Sequence, residues 1–141
     1  MRTFSEDYRR GLASEITVHM SLEEGLDCKL TKTLDPKHRM DFEGDDCWVE
    51  LKTRFGVSSQ TYQTMLLPVS KILFALEASK PVYFFFALSD GIFYTQFNAE
   101  RFKGYRLENV VRRDRGETTA VRHCHIPCSD LDWIEKYQKV T

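Results

Sequence analysis

The segment 37–54 constrains this chain more than any other, because apolar and polar residues alternate on both sides of a short turn. The alternation runs from Met40 to Glu43 and again from Cys47 to Lys52. Between these two runs, the residues Gly44 to Asp46 supply the chemistry of a turn. This pattern predicts a β-hairpin.

The predicted hairpin gathers charged side chains on one face of a sheet. Successive side chains point to opposite faces, so a turn of two or four residues places Asp41 and Glu50 on the same face, on the order of 5 to 8 Å apart. Lys52 follows Glu50 by two residues and lies on that face as well. The opposite face carries the apolar residues Met40, Phe42, Val49 and Leu51.

Two carboxylates at this separation repel each other unless a cation lies between them. Mg²⁺ suits such a site because it takes oxygen ligands and is held by one or two carboxylates together with substrate phosphates. A lysine beside the metal can position a water molecule or stabilise negative charge on a phosphate. The pattern therefore indicates metal-assisted phosphodiester hydrolysis. The alternative is a solvated hairpin face with a cross-strand salt bridge.

The hairpin resembles the motif of the PD-(D/E)XK nuclease superfamily, which includes restriction enzymes, Holliday junction resolvases and repair nucleases. Asp41 matches the lone aspartate of that motif, and Glu50-Leu51-Lys52 matches its E-x-K triplet. Met40 stands where the family has proline. The resemblance implies that Asp41, Glu50 and the backbone carbonyl of Leu51 bind the metal, and that Lys52 orients or activates the attacking water.

The segment Ser5 to Leu22 predicts an amphipathic helix that ends at Gly25, a candidate left-handed cap. Its predicted apolar stripe consists of Tyr8, Leu12, Ile16 and Met20. Glu15 falls beside this stripe, and the resemblance implies that it joins the metal site as an outer carboxylate acting through water. The alternative is a half-exposed Glu15 that reaches solvent.

The rest of the chain alternates between strand and helix signals. The first expected elements are a strand Cys28–Leu34, the hairpin, a polar loop 56–64 and a helix beginning at Pro68. The next are two strands, Val82–Leu88 and Ile92–Phe97, and a turn capped by Asn98. The last are a charged loop 104–119, a strand Ala120–Ile126 and a helix Asp130–Lys139. The second helix has the predicted apolar stripe Val69, Ile72, Leu73 and Leu76, and its Lys71 is interpreted as solvated. The predicted fold class is therefore α/β, a layered mixed β-sheet flanked by helices. This agrees with the restriction-endonuclease-like αβββαβ core that the resemblance implies.

Several basic and polar residues near the hairpin are candidates for contact with nucleic acid. They are Lys37, His38 and Arg39 before Asp41, Arg54 and Gln60 after Lys52, and Arg113 in the charged loop. For each, the alternative is an exposed turn or surface loop without a partner. A zinc site built from the residues between His123 and Cys128 is disfavoured, because adjacent strand residues point to opposite faces.

Composition limits the classes of protein that remain. The 141 residues fit one domain, 1–141, and the net charge of −1 excludes a global basic field, so binding to nucleic acid has to be local and helped by metal. Four cysteines without a signal peptide predict reduced thiols in a cytoplasmic protein. No apolar run approaches the roughly 20 residues of a membrane span. The small size favours a homodimer or a structure-selective enzyme.

The sequence thus predicts a nuclease that depends on Mg²⁺ or Mn²⁺ and hydrolyses phosphodiester bonds, with DNA as the favoured substrate and endonucleolytic cleavage as the favoured mode. One alternative is an RNA-cleaving endonuclease. A second is a catalytically inactive binding module that keeps the nuclease fold. A third is an unrelated α/β protein in which Asp41 and Glu50 are exposed and do not cluster.

Overall fold

The computed structural model describes residues 18–35, 38–54, 56–111, 113, 116 and 118–136. The described part of helix α1 covers 18–26. The following elements are β1 (Thr31–Lys32), β2 (Phe42–Glu43), β3 (Trp48–Thr53), β4 (Thr64–Pro68), α2 (Val69–Glu77), β5 (Val82–Leu88), β6 (Gly91–Gln96), α3 (Ala99–Lys103), β7 (Leu107–Val110), β8 (Val121–Pro127) and β9 (Asp132–Lys136). A short 3₁₀ turn, Cys128–Asp130, joins β8 to β9. In this described part of the chain, no helix is long and apolar enough to cross a membrane.

A mixed β-sheet forms the centre of the protein. Its strand order is β1-β2-β3-β5-β6-β9, and within it β3 and β5 run parallel while the other neighbours are antiparallel. A second, antiparallel sheet has the order β4-β8-β7. The α/β class with a layered mixed sheet is therefore confirmed.

Two apolar clusters lie on opposite faces of the larger sheet. Strand β5 contributes to both, because Phe84 and Phe86 belong to one cluster and Phe85 belongs to the other. The first cluster includes Met65 and Ile126 of the smaller sheet, together with residues of α2 and α3. The second cluster includes two buried residues of α1. The order of layers is therefore helix, large sheet, and small sheet with helices.

The predicted strand Val82–Leu88 is confirmed, and its partner begins and ends one residue earlier than expected. The side chain of Asn98 accepts a hydrogen bond from the Arg101 N–H, so it caps α3 as predicted. The strand expected over Ala120–Ile126 is also present, shifted by one residue.

The helix expected over Asp130–Lys139 is wrong, because the described residues of this segment form a 3₁₀ turn and strand β9. Strand β9 pairs with β6 and covers an edge that would otherwise expose unpaired backbone groups. Trp133 packs on Phe93 with ring centres 4.0 Å apart, and Ile134 packs against the cluster beneath α1. The apolar residues that favour a helix in the sequence therefore pack as part of the sheet instead.

The buried face and the cap of α1 also differ from expectation. Val18 and Leu22 are buried, whereas Met20 of the predicted stripe is 66% exposed. The left-handed residue is Asp27, at φ 50°, and not Gly25. The N–H groups of Cys28 and Asp27 donate to the carbonyls of Glu23 and Glu24 in the pattern of a Schellman cap.

Gly25 is required for a different reason, because a Cβ there would lie 2.4 Å from Cδ1 of Ile134. The first strand is shorter than predicted and covers only Thr31–Lys32. Strand β7 lies inside the segment 104–119, which is expected to be a loop, and β4 begins at the last residue of the expected loop 56–64; these two strands complete the smaller sheet.

The apolar stripe predicted for α2 is only partly correct. Ala75 is buried and Ile72 packs against the first cluster, whereas Leu73 and Leu76 are 53% and 56% exposed. Pro68 is the N-cap residue and the last residue of β4, one position before the first helical residue. The helix is thus rotated from the expected orientation, and this rotation turns Lys71 toward the large sheet.

Candidate active site

The register of the hairpin brings Asp41 and Glu50 together. Phe42 pairs with Val49, and the Asp41 N–H donates to the Val49 carbonyl at 3.0 Å, which extends the pairing by one residue. Asp41 Oδ2 accepts a hydrogen bond of 2.8 Å from the Leu51 N–H. The Asp41 carboxylate is thereby fixed above β3, on the same face of the sheet as Glu50.

The backbone before β2 departs from the predicted alternation. Met40 is buried in the first cluster and Phe42 in the second, so the two do not share a face as expected. Thr33 holds this segment, since its hydroxyl donates to the Met40 carbonyl at 2.7 Å and its N–H donates to the Asp41 carbonyl at 2.9 Å. The irregular backbone at 40–41 is therefore held by hydrogen bonds from Thr33, and it directs the Met40 side chain into the first apolar cluster.

Glu50 is the charged residue at the centre of the candidate site, and only 2% of its surface is exposed. Its Oε2 lies 3.1 Å from the Nζ atoms of both Lys52 and Lys71. A carboxylate in such a position is costly unless it is paired, and here two ammonium groups share one of its oxygens.

The other oxygen of this carboxylate, Glu50 Oε1, is buried and has no hydrogen-bond partner among the described residues. Burial, followed by the neighbouring Asp41 carboxylate, raises the pKa of Glu50 to about 7, against the opposing effect of the two lysines. A proton shared with Asp41 would satisfy Oε1, and so would a cation between the two carboxylates.

The chemistry of these donors fits a hard divalent cation. Asp41 and Glu50 provide two carboxylates, and Mg²⁺ requires no more than one or two when waters and substrate phosphates complete its coordination. The described residues contain no cluster of three or more His, Cys, Asp or Glu side chains suited to a metal ion. Glu15, the third predicted carboxylate, lies outside the described residues.

Lys71 is the site residue that sequence reasoning missed. It occupies the first turn of α2, and besides the contact with Glu50 its Nζ donates to the backbone carbonyl of Arg39. The interpretation of Lys71 as solvated is therefore wrong, and its side chain is only 18% exposed. The only local signal was its helical position next to the apolar residues that pack on the sheet.

The candidates for nucleic-acid contact have different surroundings. His38 stacks on Trp48 with ring centres 5.0 Å apart, and its Nδ1 accepts from the Met40 N–H. Arg39, Gln60 and Arg113 are exposed. The Arg54 guanidinium lies 5.6 Å from the ring centre of Tyr62. Lys37 lies outside the described residues.

A cavity of about 210 Å³ adjoins the site at the end of β3. Its walls include Lys52, Arg54, Leu66, Pro68 and His123. The polar segment 56–63 beyond it is anchored, because the N–H and hydroxyl of Ser59 both donate to the carboxylate of Asp90.

The comparison with known families agrees with this geometry. A family profile described as "Phage putative PDDEXK endonuclease" matches residues 6–134 of the 141-residue chain. No curated protein matches the sequence. The family match covers almost the whole chain, including the hairpin, and it confirms the resemblance drawn from the motif. The chain therefore belongs to the family that this profile describes, within the PD-(D/E)XK nucleases.

Proposed function

We propose that the protein is a divalent-metal-dependent endonuclease that hydrolyses phosphodiester bonds in DNA. The observation that carries this proposal is Oε1 of Glu50, which is buried beside the Asp41 carboxylate and has no hydrogen-bond partner in the part of the chain that the structure describes. In a folded protein such an atom calls for an explanation, and a cation in a nuclease site supplies one. The family match supports the reaction class.

The two oxygens of Glu50 have different roles in this proposal. Oε2 is occupied by the lysines, whereas Oε1, an oxygen of Asp41 and the carbonyl of Leu51 would hold Mg²⁺ or Mn²⁺. When bound, the metal supplies Lewis-acid activation of the phosphate and lowers the pKa of a bound water. Glu15 adds an outer carboxylate.

Lys52 orients the attacking water and stabilises charge on the phosphate, because its ammonium lies at the junction of the carboxylates and the cavity. Arg54 lines the same cavity and meets the nucleic-acid backbone there. Lys37, His38, Arg39, Gln60 and Arg113 are proposed as further contacts to nucleic acid. Residues 1–141 belong to one domain that acts inside the cell, and a homodimer would supply one such site for each strand of a duplex.

The direct test is cleavage of a panel of substrates with Mg²⁺, Mn²⁺ or EDTA. The panel contains single strands, duplexes, flaps, four-way junctions and RNA. Cleavage is expected with either metal and not in EDTA, with internal cuts in DNA. Full activity in EDTA rejects the metal mechanism, and cleavage of RNA alone selects the RNA endonuclease.

Lys52→Ala separates chemistry from binding. This change is expected to lower turnover at saturating substrate by at least about 10²-fold while substrate affinity changes little. Glu50→Gln keeps the shape of the side chain but is expected to weaken metal binding as well. Circular dichroism confirms that both variants are folded. A Lys52→Ala variant as fast as the parent contradicts the assignment of Lys52.

A catalytically inactive binding module is the second candidate function, because the site contains two lysines for two carboxylates, so the carboxylates have positive partners without a metal ion. It predicts that nucleic acid binds with equal affinity in EDTA and in Mn²⁺. It also predicts that no metal raises the melting temperature. A metal titration followed by thermal unfolding distinguishes the two functions.

A further inference from the structure

We propose that His123 is the general base that accepts the proton of the attacking water. This inference rests on the proposed function and adds a catalytic residue to it. His123 lies in the middle of the smaller sheet, on β8, far in sequence from the hairpin. No part of the E-x-K motif points to it.

The position of His123 is set by the alternation of β8. Cys124 and Ile126 point into the apolar cluster between the sheets, whereas His123 and His125 point to the other face. His123 nevertheless has only 4% of its surface exposed, because it stands opposite Pro68 of β4 and in the wall of the cavity that Lys52 also lines. It is a buried polar side chain placed beside the candidate site.

The hydrogen bonds of His123 determine which nitrogen is available. Its Nδ1 lies 2.8 Å from the backbone carbonyl oxygen of Val121. A carbonyl oxygen only accepts, so Nδ1 carries the proton and the neutral ring has its lone pair at Nε2. Within the described residues, no hydrogen bond occupies Nε2. The lone pair is therefore free for a water molecule in the cavity.

The other charged groups named for the site do not supply a general base. Lys52 and Lys71 are ammonium groups paired with Glu50, and an ammonium has no lone pair to accept a proton. Asp41 Oδ2 accepts from the Leu51 N–H and Glu50 Oε2 pairs with the lysines, and the other carboxylate oxygens would hold the cation. Lys52 and Arg54 line the same cavity as His123, and neither cation offers a lone pair there.

The proposed step is balanced in atoms and charge. As the water oxygen forms a bond to phosphorus, one of its protons passes to Nε2 of His123. The bond from phosphorus to the leaving oxygen breaks with its electron pair on that oxygen, which takes a proton from solvent. The imidazolium then returns its proton to solvent, and the ring is restored.

Chemical rescue tests this assignment. His123→Ala enlarges the cavity beside Lys52, so cleavage of the best substrate of the panel is expected to fall at least about 10²-fold and to recover in part when imidazole is added. His123→Asn is expected to be equally slow, because its amide can still donate to the Val121 carbonyl but cannot take a proton. The parent protein and Lys52→Ala are expected not to respond to imidazole.

His125→Ala is the matched control. His125 lies on the same strand and face, but its ring contacts the Thr64 hydroxyl at 2.7 Å and Glu108 at 3.4 Å, and it does not line the cavity. Its removal is expected to leave cleavage unchanged, and thermal unfolding verifies that all variants are folded.

A folded His123→Ala variant with parental activity overturns the inference. Loss of activity without rescue by imidazole overturns it as well, and so does a His123→Asn variant with parental activity. If the parent protein itself cleaves none of the substrates, the proposed function fails instead. The two failures are thus distinguishable.

Discussion

Glu50 shows how much chemistry a single buried carboxylate can add to a strand. It is held between a second carboxylate and two ammonium groups, and burial is the largest of the influences on its pKa. The protonated and ionised forms are therefore close in free energy near neutral pH. A bound cation favours the ionised form, so metal binding is linked to the release of a proton.

The raised pKa of Glu50 predicts how stability depends on pH in the absence of metal. The folded protein retains the Glu50 proton up to about pH 7, whereas the ordinary value is 4.5, so the folded state binds more protons between these values. Stability is expected to fall across this window as pH rises, by on the order of 1 to 3 kcal/mol. Glu50→Gln is expected to abolish this part of the dependence, as measured by urea unfolding in EDTA.

Glu43→Gln provides the control for that measurement, because Glu43 lies on the same hairpin but is half exposed and pairs with Lys80. The stability of the Glu43→Gln variant is expected to depend on pH in the same way as that of the parent protein. A Glu50→Gln variant with the same slope as the parent would show that another group titrates in this range.

Replacement of Lys71 is expected to strengthen metal binding while it lowers turnover. Lys71→Met removes a positive charge 3.1 Å from Glu50, so Mn²⁺ is expected to bind more tightly, on the order of three- to tenfold. Turnover is expected to fall less than in Lys52→Ala, because Lys52 also faces the cavity. Calorimetric titration with Mn²⁺ measures the first effect.

Lys80→Met is the matched control, since Lys80 pairs with Glu43 at 2.6 Å, away from Glu50. It is expected to leave Mn²⁺ affinity unchanged. Weaker Mn²⁺ binding by Lys71→Met would mean that Lys71 mainly positions Glu50.

At the scale of single elements, the cap of α1 offers a direct test of the backbone. Asp27 has the left-handed conformation, which favours glycine, and caps the helix at a φ of 50°. Asp27→Gly is therefore expected to raise the free energy of unfolding by about 0.5 to 1 kcal/mol. Gly25→Ala is expected to do the opposite, because the added Cβ meets Ile134. Chemical denaturation measures both, and a destabilised Asp27→Gly variant would contradict the cap.

The elements that could be predicted from sequence are those whose signals are local. Strand β5 is an unbroken apolar run between a proline and a turn, and the cap of α3 is a single asparagine side chain. The sequence predicts a helix where β9 lies because the spacing of Leu131, Trp133 and Ile134 fits the period of a helix as well as that of a strand. Only the open edge of β6, which is distant in sequence, decides between them.

The candidate site likewise contains some residues that local sequence signals predict and others that they do not. Glu50 and Lys52 lie on one face because strand parity is a local rule, whereas Asp41 reaches that face from an irregular backbone through its hydrogen bond to the Leu51 N–H. Lys71 and His123 were missed because α2 and the smaller sheet bring them to the site from distant parts of the chain. Tertiary packing, which one sequence does not display, determines those contacts.

For the molecule as a whole, the net charge of −1 predicts how binding responds to salt. Without a global positive field, only local contacts release counterions, so the slope of log affinity against log salt is expected to be no steeper than about −4. Arg54→Ala and Arg113→Ala are each expected to reduce the magnitude of this slope by about 1. DNA binding is measured with Ca²⁺ in place of the active metal.

Lys103→Ala, an exposed residue of α3, serves as the control and is expected to leave the slope unchanged. A slope unchanged by Arg113→Ala would remove the charged loop from the contact surface. A slope much steeper than −4 would require a larger basic surface, such as one formed by two copies of the chain.

The central position of β3 in the large sheet determines how readily its backbone opens to solvent. All six residues of β3 pair with β5, and β5 is covered in turn by β6. Local opening of proteins begins at frayed ends and edge strands and reaches central strands last. The backbone amides that support Glu50 and Lys52 are therefore expected to exchange hydrogen with solvent only when the whole structure opens. The candidate site is thus expected to persist as long as the fold, so that heating abolishes both in one transition.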